Sequence, residues 1–267
     1  MKRLVATLLL TLATICAEAK LFRIKDIPGG FSAVLTIPDG FDTQNDSCDM
    51  VILMHGFWIN KAVPPMPHIA SFLADRGIAS IRFDFHGCGS SPGRSTQMTI
   101  ETELADARVV YEYVRRLPYV RDISLLGHSQ GGLVAGMTAG RLADEGIQVR
   151  QLVLLAPALV IRDYARNGEF FGIRCNPDDP PESLNIYGYT IGRDYILAAQ
   201  SMEPLIETMR YRGPVTVVHG TEDSIVPYVY GEAYAAVMPN ATLITMQGAN
   251  HLFWRYRELD SILSGLF

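Results

Sequence analysis

Short apolar runs recur along this chain, separated by segments of helical periodicity, and that alternation limits the fold more than any other feature. Met50–His55 (MVILMH), Ala79–Phe85 (ASIRFDF), Asp122–Gly127 (DISLLG), Gln151–Ala156 (QLVLLA), Val215–His219 (VTVVH) and Thr242–Met246 (TLITM) each have the length of a strand. Several are apolar almost throughout, as strands buried on both faces must be. Ser32–Ile37 reads as an earlier, antiparallel strand. The clearest helical segment runs from Thr99 to Leu117. Within it Ile100, Leu104, Ala107, Tyr111 and Val114 fall at alternating four- and three-residue steps and share one face. Glu101, Glu103 and Asp106 come early and Arg115-Arg116 late, in keeping with the helix dipole, and Pro118 ends the segment. Strand and helix in alternation predict an α/β fold, a mostly parallel central sheet flanked by helices.

The stretch between Ala156 and Val215 breaks the rhythm. It contains the turn-rich segment Cys175-Asn176-Pro177-Asp178-Asp179-Pro180-Pro181 and the aromatics Phe170, Phe171, Tyr187, Tyr189 and Tyr195. A connection that long inside a compact domain is usually a functional insertion, so about 158–212 is expected to form a small cap. The rest of 20–267 is expected to be one domain, a size usual for an α/β fold.

The first residues read as a signal peptide, 1–19. Met1-Lys2-Arg3 is basic, Leu4–Cys16 is apolar apart from threonines, and Ala17-Glu18-Ala19 has the small-x-small cleavage pattern. The expected protein is therefore exported, periplasmic or extracellular, with a mature start near Lys20. The apolar run falls short of the roughly 20 residues a membrane span needs, so no stable membrane insertion is expected. The formal charge is −5, and no basic cluster exceeds Arg115-Arg116, which argues against nucleic acid as a partner. Cys48, Cys88 and Cys175 remain after cleavage. One disulfide with one free thiol, or three buried small hydrophobes, are both compatible with their spacing. The oligomeric state stays open.

Gly127-His128-Ser129-Gln130-Gly131-Gly132 follows the DISLL run and precedes a small-residue helical segment, Leu133–Leu142. A G-x-S-x-G in that setting is a nucleophile elbow: the glycines leave room for neighbouring backbone, and the serine Oγ projects above the sheet. A serine hydroxyl needs a base, and the base an orienting acid, in the order Ser, acid, His for this arrangement. Of the six histidines, His251 alone lies late, in Gly248-Ala249-Asn250-His251, a loop after the last strand. His219 ends the VTVVH run ahead of any suitable acid. Asp223, in His219-Gly220-Thr221-Glu222-Asp223, is the expected acid, with Glu222 as the alternative; Asp178 and Asp179 lie in the insertion rather than at a strand end. Two backbone N–H groups should hold the oxyanion. Gln130 follows the serine, and Phe57 lies in His55-Gly56-Phe57-Trp58 after the MVILM run. His55 is expected to shape that turn. Ser129, Asp223 and His251 need neither a metal nor an organic cofactor.

In this order the pieces resemble the α/β-hydrolase superfamily. Ser129-Gln130-Gly131-Gly132, Leu155-Ala156-Pro157-Ala158, Ala165-Arg166-Asn167-Gly168-Glu169, Asn176-Pro177-Asp178 and Tyr195-Ile196-Leu197-Ala198-Ala199-Gln200 are similar to bacterial feruloyl and cinnamoyl esterases. The resemblance implies a secreted serine esterase that cleaves hydroxycinnamoyl (feruloyl, caffeoyl, coumaroyl) esters, either small molecules or esters linked to plant polysaccharide. It also implies that the cap helps form the aromatic-acid pocket, with Phe170, Phe171, Tyr187, Tyr189 and Tyr195 as its candidate residues. A serine peptidase or a short-chain lipase of the same fold would use the same three catalytic residues.

Overall fold

A computed structural model describes residues 20–24 and 26–267. The segment read as a signal peptide, 1–19, lies outside the described residues. The chain runs β1 (Lys20–Ile24), β2 (Ala33–Ile37), β3 (Cys48–Met54), α1 (Met66–Ala74), β4 (Ala79–Phe83), a short 3₁₀ turn (Ser95–Gln97), α2 (Ile100–Val114), β5 (Val120–His128), α3 (Gln130–Asp144) and β6 (Leu152–Leu155). The insertion follows: α4 (Val160–Asn167), β7 (Glu169–Phe170), β8 (Ile173–Arg174), β9 (Ser183–Ile186), β10 (Tyr189–Gly192), α5 (Arg193–Ser201) and α6 (Pro204–Thr208). The chain then completes the body with β11 (Val215–Gly220), α7 (Val229–Val237), β12 (Ala241–Met246) and α8 (Tyr256–Ser264).

One sheet has the order β1-β2-β4-β3-β5-β6-β11-β12. Its strands are parallel from β4 to β12, while β2 runs antiparallel to both β4 and β1. The continuous apolar runs have a direct cause. In β3, Met50, Ile52 and Met54 enter the core under α2 and α3, whereas Val51 and Leu53 enter the opposite core under α1 and α8. In β6, Leu152 and Leu154 face the first core, Val153 and Leu155 the second. The central strands are therefore buried on both faces over most of their length. The edge strand β12 is only half-buried over most of its length. Among the described residues no helix is long and apolar enough to cross a membrane.

α2 begins where the sequence put it. Thr99 is its N-cap, accepting from Thr102 N–H at 3.0 Å, and the Thr102 hydroxyl answers the Thr99 N–H at 2.8 Å. The expected apolar face is buried. Glu103 and Asp106 differ from the dipole reading: they lie inside, 1% and 6% exposed. Both fall between the apolar positions of the face that packs on the body, so the packing direction overrides their charge.

The insertion is two antiparallel hairpins, β7–β8 and β9–β10, between α4 and α5. Its last part returns to the body. α6 lies against α3, where a Cβ at Gly136 would be 2.7 Å from Thr208 Oγ1 and one at Gly140 would strike the Glu207 carbonyl. The segment that stands over the carboxyl ends of the strands is thus α4 to α5. Cys48, Cys88 and Cys175 are all free thiols, the first two buried.

Candidate active site

β5 ends at His128 and α3 begins at Gln130, which leaves Ser129 alone in the turn with φ 57° and ψ −122°. Such backbone costs a non-glycine residue of order 1–3 kcal/mol and persists only where the surroundings over-determine it. They do so here. Ser129 N–H donates to Leu155 O at 2.8 Å, and Ser129 O accepts from Gly132 and Ala158 N–H at 2.9 and 3.0 Å. Two glycines make the turn sterically feasible: a Cβ at Gly127 would strike the Gly131 carbonyl, and one at Gly131 the carbonyls of Met54 and His55. The loop after β3 passes close by, since a Cβ at Gly56 would be 2.9 Å from Ser129 Cβ. Phe57, next in the chain, walls the same cavity as Ser129, and Gln130 follows the serine directly. Buried His55 holds that loop, with its Nδ1–H donating to Gly56 O at 2.9 Å while Nε2 accepts from Phe85 N–H at 3.3 Å. Asp84, also buried, ties the same loop to the one after β4 by accepting from Lys61 Nζ at 2.6 Å and from Lys61 and Ser90 N–H at 2.8 Å each.

His251 sits in the loop after β12, and its Nδ1–H donates to Asp223 Oδ2 at 2.7 Å. Asp223 follows β11. Its Oδ1 accepts from Ile225 and Val226 N–H at 2.9 and 2.8 Å. Burial alone would raise the Asp223 carboxyl. The His219 and His251 side chains and the Val226 N–H outweigh it and hold the group well below the usual carboxylate range. It is therefore a fixed anion behind the imidazole. Ser129 and His251 line one cavity. Among the described residues no hydrogen bond joins them; in this chemistry that bond commonly tightens only around substrate.

Two further histidines complete the arrangement, and the sequence reading had given neither a role. His128 is buried, and burial followed by the neighbouring His251 pushes it down to about 3, so it stays neutral. Its Nε2–H donates to the His251 carbonyl at 2.8 Å, which anchors the loop that carries the base. His219 donates from Nε2 to Val226 O at 2.8 Å, with the same nitrogen 3.5 Å from Asp223 Oδ2. Their signal was position: His128 precedes the serine within the elbow, and His219 comes near the end of the strand that leads to the acid. Glu222, the alternative acid, is exposed, with its N–H on Ala249 O at 3.0 Å.

The cavity at Ser129 and His251 has a volume of about 270 Å³ and is walled by Phe57, Trp58, Ile59, Phe171, Tyr187, Ile225 and Leu252. A second, much smaller one of about 20 Å³ reaches the serine from beneath the cap, between Phe57, Ile161, Phe170, Phe171, Tyr195 and Val226. Of the five aromatics singled out in the insertion, Phe171 and Tyr187 wall the larger space; Phe170, Phe171 and Tyr195 wall the smaller. Tyr189 walls neither. It packs on Phe57 and Trp58, with its hydroxyl 3.8 Å from Cys88 Sγ. Trp58, Ser129, Phe171 and Tyr187 all have positive φ and all meet at the larger cavity. A wider depression beside α2, between His86, Arg94 and Thr102, is lined by neither Ser129 nor His251.

The fold is that of the α/β-hydrolases, and the chain resembles feruloyl esterases. Residues 45–173 match the family described as serine aminopeptidase, S33. Est1E from Butyrivibrio proteoclasticus, solved with ferulic acid bound, superposes with a TM-score of 0.83 at 28% identity over 91% of this chain and 96% of that one. A second Est1E structure gives 0.79 at 25% identity over 93% and 97%. Among curated proteins, human Protein ABHD12B is 27% identical over 197 residues, 73% of this chain and 51% of the relative. The lysophosphatidylserine lipase ABHD12 of Danio rerio is 24% identical over 189 residues, 68% of this chain and 45% of the relative. The chain thus spans about half the length of the curated relatives it matches.

Proposed function

We propose that this protein is an exported serine esterase that cleaves hydroxycinnamoyl esters through an acyl-enzyme. The observation that carries the reading is the ordered Asp223–His251 pair facing the same aromatic-walled cavity as the strained Ser129. Ser129 Oγ attacks the ester carbonyl while His251 Nε2 takes its proton, and the oxyanion is held by the Phe57 and Gln130 N–H groups. The imidazolium, steadied by Asp223, gives that proton to the leaving alcohol. Water then enters and loses a proton to His251 as it attacks the acyl carbonyl; the acid leaves as the Ser129 Oγ–acyl bond breaks, and His251 passes the proton taken from water to Ser129 Oγ. Phe171 and Tyr187 offer faces to a planar acyl group. The likeness to Est1E holding ferulic acid supports the same acyl class. A short-chain lipase is the second reading, favoured by the exposed Trp58, Tyr187 and Ile225 at the cavity.

A panel of methyl ferulate, 1-naphthyl acetate, lysophosphatidylserine and an aminoacyl anilide tests these readings together. Methyl ferulate should give the highest kcat/KM, and Ser129→Ala should abolish it. Phe171→Ala and Tyr187→Ala should lower the ratio of ferulate to acetate hydrolysis by roughly 2- to 10-fold, the worth of one stacked ring. A 1-naphthyl acetate preference would install the short-chain reading, a lysophosphatidylserine preference a lysophospholipid lipase, and an anilide preference a peptidase. Export rests on the basic start, the apolar run and Ala17-Glu18-Ala19. N-terminal sequencing of protein taken from outside the cytoplasm should begin near Lys20, and an intact Met1 there would refute it.

A further inference from the structure

Gln130 has a second task besides offering its N–H. Its side chain is held at both ends. Nε2 donates to Glu103 Oε2 at 2.8 Å, and Oε1 accepts from the Tyr195 hydroxyl at 2.6 Å. Glu103 belongs to α2, Gln130 opens α3 directly after Ser129, and Tyr195 lies on cap helix α5. All three are 1% exposed. A single buried chain of hydrogen bonds therefore joins the body, the nucleophile turn and the cap. Such a chain fixes its members because leaving any one of these polar groups unpaired is costly where water is excluded.

We propose that Glu103 and Tyr195 are positioning residues that act through the Gln130 side chain to set the elbow and the cap relative to one another, and that the charge on Glu103 is felt at the serine. The proposal rests on Ser129 being the nucleophile and Gln130 N–H an oxyanion donor.

The electrostatics give the second half its direction. The ionisable side chains that face Glu103 are Asp106 on its own helix, Cys88 after β4, Tyr189 on β10 and Tyr195 on α5. Each of these is neutral or negative, never positive. His86, which meets the same helix, is paired with Asp106 at 2.7 Å. Burial raises the Glu103 carboxyl, the Gln130 hydrogen bond lowers it, and Asp106 raises it again, leaving it at about 8. At neutral pH the group is thus mostly protonated and the network carries no charge. Above that range a buried anion appears one side chain from the N–H meant for another anion. It opposes the transition state, whose charge is developing, more than the neutral ester.

The test measures kcat and KM for 1-naphthyl acetate from pH 6 to 9.5 in wild type, Glu103→Gln, Glu103→Leu, Tyr195→Phe and Ser129→Ala, with melting curves for each. Wild-type kcat should fall at least about threefold from pH 7 to 9.5, as a unit charge at protein distances would produce. In E103Q, which keeps an acceptor for Gln130 but cannot ionise, that alkaline fall should disappear. E103L, with no acceptor, should show a lower kcat than E103Q at pH 7 and a smaller change in KM. Y195F, which cuts only the cap end, should lower kcat at every pH and keep the alkaline fall. An E103Q profile that still falls like wild type overturns the electrostatic half. Y195F with unchanged kcat overturns the positioning half, and it does so even if no Glu103 variant folds. Activity surviving S129A would remove this proposal together with the serine reading. Activity lost in S129A, with the alkaline fall intact in E103Q and kcat unchanged in Y195F, removes this proposal alone.

Discussion

Glu222 and Asp223 are adjacent, so their spacing to the serine and the histidine differs by a single residue, and geometry is what separates them. The turn after β11 sends Asp223 inward, 7% exposed, where one oxygen meets His251 and the other two backbone N–H groups. Glu222 faces solvent. Asp223→Asn keeps the shape but presents an amide where an anion is needed. The imidazole then loses both the tautomer that leaves Nε2 free to accept and the charge that steadies its cation. Under the serine-esterase reading, kcat for D223N should drop on the order of 10³- to 10⁴-fold, while Glu222→Gln stays within about twofold, as for other exposed substitutions. Steady-state kinetics on the two variants decides the matter, and the reverse ranking would move the acid to Glu222. His219, set aside in sequence because it comes ahead of any suitable acid, is excluded by geometry as well: its Nε2–H is committed to Val226 O and the ring is fully buried.

At the scale of elements, what the sequence made legible is what depends on periodicity. The central strands were visible because both faces of the sheet are covered, so each reads as an unbroken apolar run. The N-terminus of α2 was visible because Thr99 and Thr102 form a capping box at the start of a regular apolar stripe. β1 was not expected. Its residues are mostly exposed, Leu21 63% and Phe22 45%, so no burial pattern marks it. The insertion was visible as a break in rhythm, and its aromatics as a group. Which of them meet a cavity was not, because two short hairpins with positive-φ corners at Phe171 and Tyr187 decide where each ring points. The same limit hid Glu103. On a helix wheel it borders the apolar stripe, and a charge there is ordinarily solvated. Only the pairing of its face with α3 and the cap turns it inward, a tertiary fact with no local signature.

For the molecule as a whole, two fully buried groups with opposite displacements set the pH range of stability. His128 is pushed down from 6.5 to about 3. Between those values the unfolded chain binds a proton that the native protein refuses, so stability is lost as pH falls through that interval. Glu103 is pushed up from 4.5 to about 8. Between those values the native protein keeps a proton that the unfolded chain releases, so stability is lost as pH rises. Each group acts with a slope of about 1 kcal/mol per pH unit inside its interval. The intervals overlap from 4.5 to 6.5, where the two slopes have opposite signs and cancel. Below the overlap the loss from His128 is unopposed by Glu103; buried His55, lowered by desolvation, adds to it, as does the Asp223 carboxylate once protonation begins to break its contacts with His251 and the turn. Above it the loss from Glu103 is unopposed by His128 until the carboxyl ionises, and His86, where burial is outweighed by the pairing with Asp106 that raises it, adds in the same direction. Melting temperature measured across pH 3 to 9 should therefore show a plateau at mildly acidic pH with a decline on either side. Glu103→Gln should flatten the alkaline decline, because the variant has no proton to retain, and should leave the acid decline in place. His128→Phe, which keeps a buried ring without a titrating nitrogen, should soften the acid decline and leave the alkaline one. A wild-type profile that rises steadily from pH 6 to 8, or an E103Q profile that declines there as steeply as wild type, would mean that the Glu103 carboxyl is already ionised in the folded protein at neutral pH.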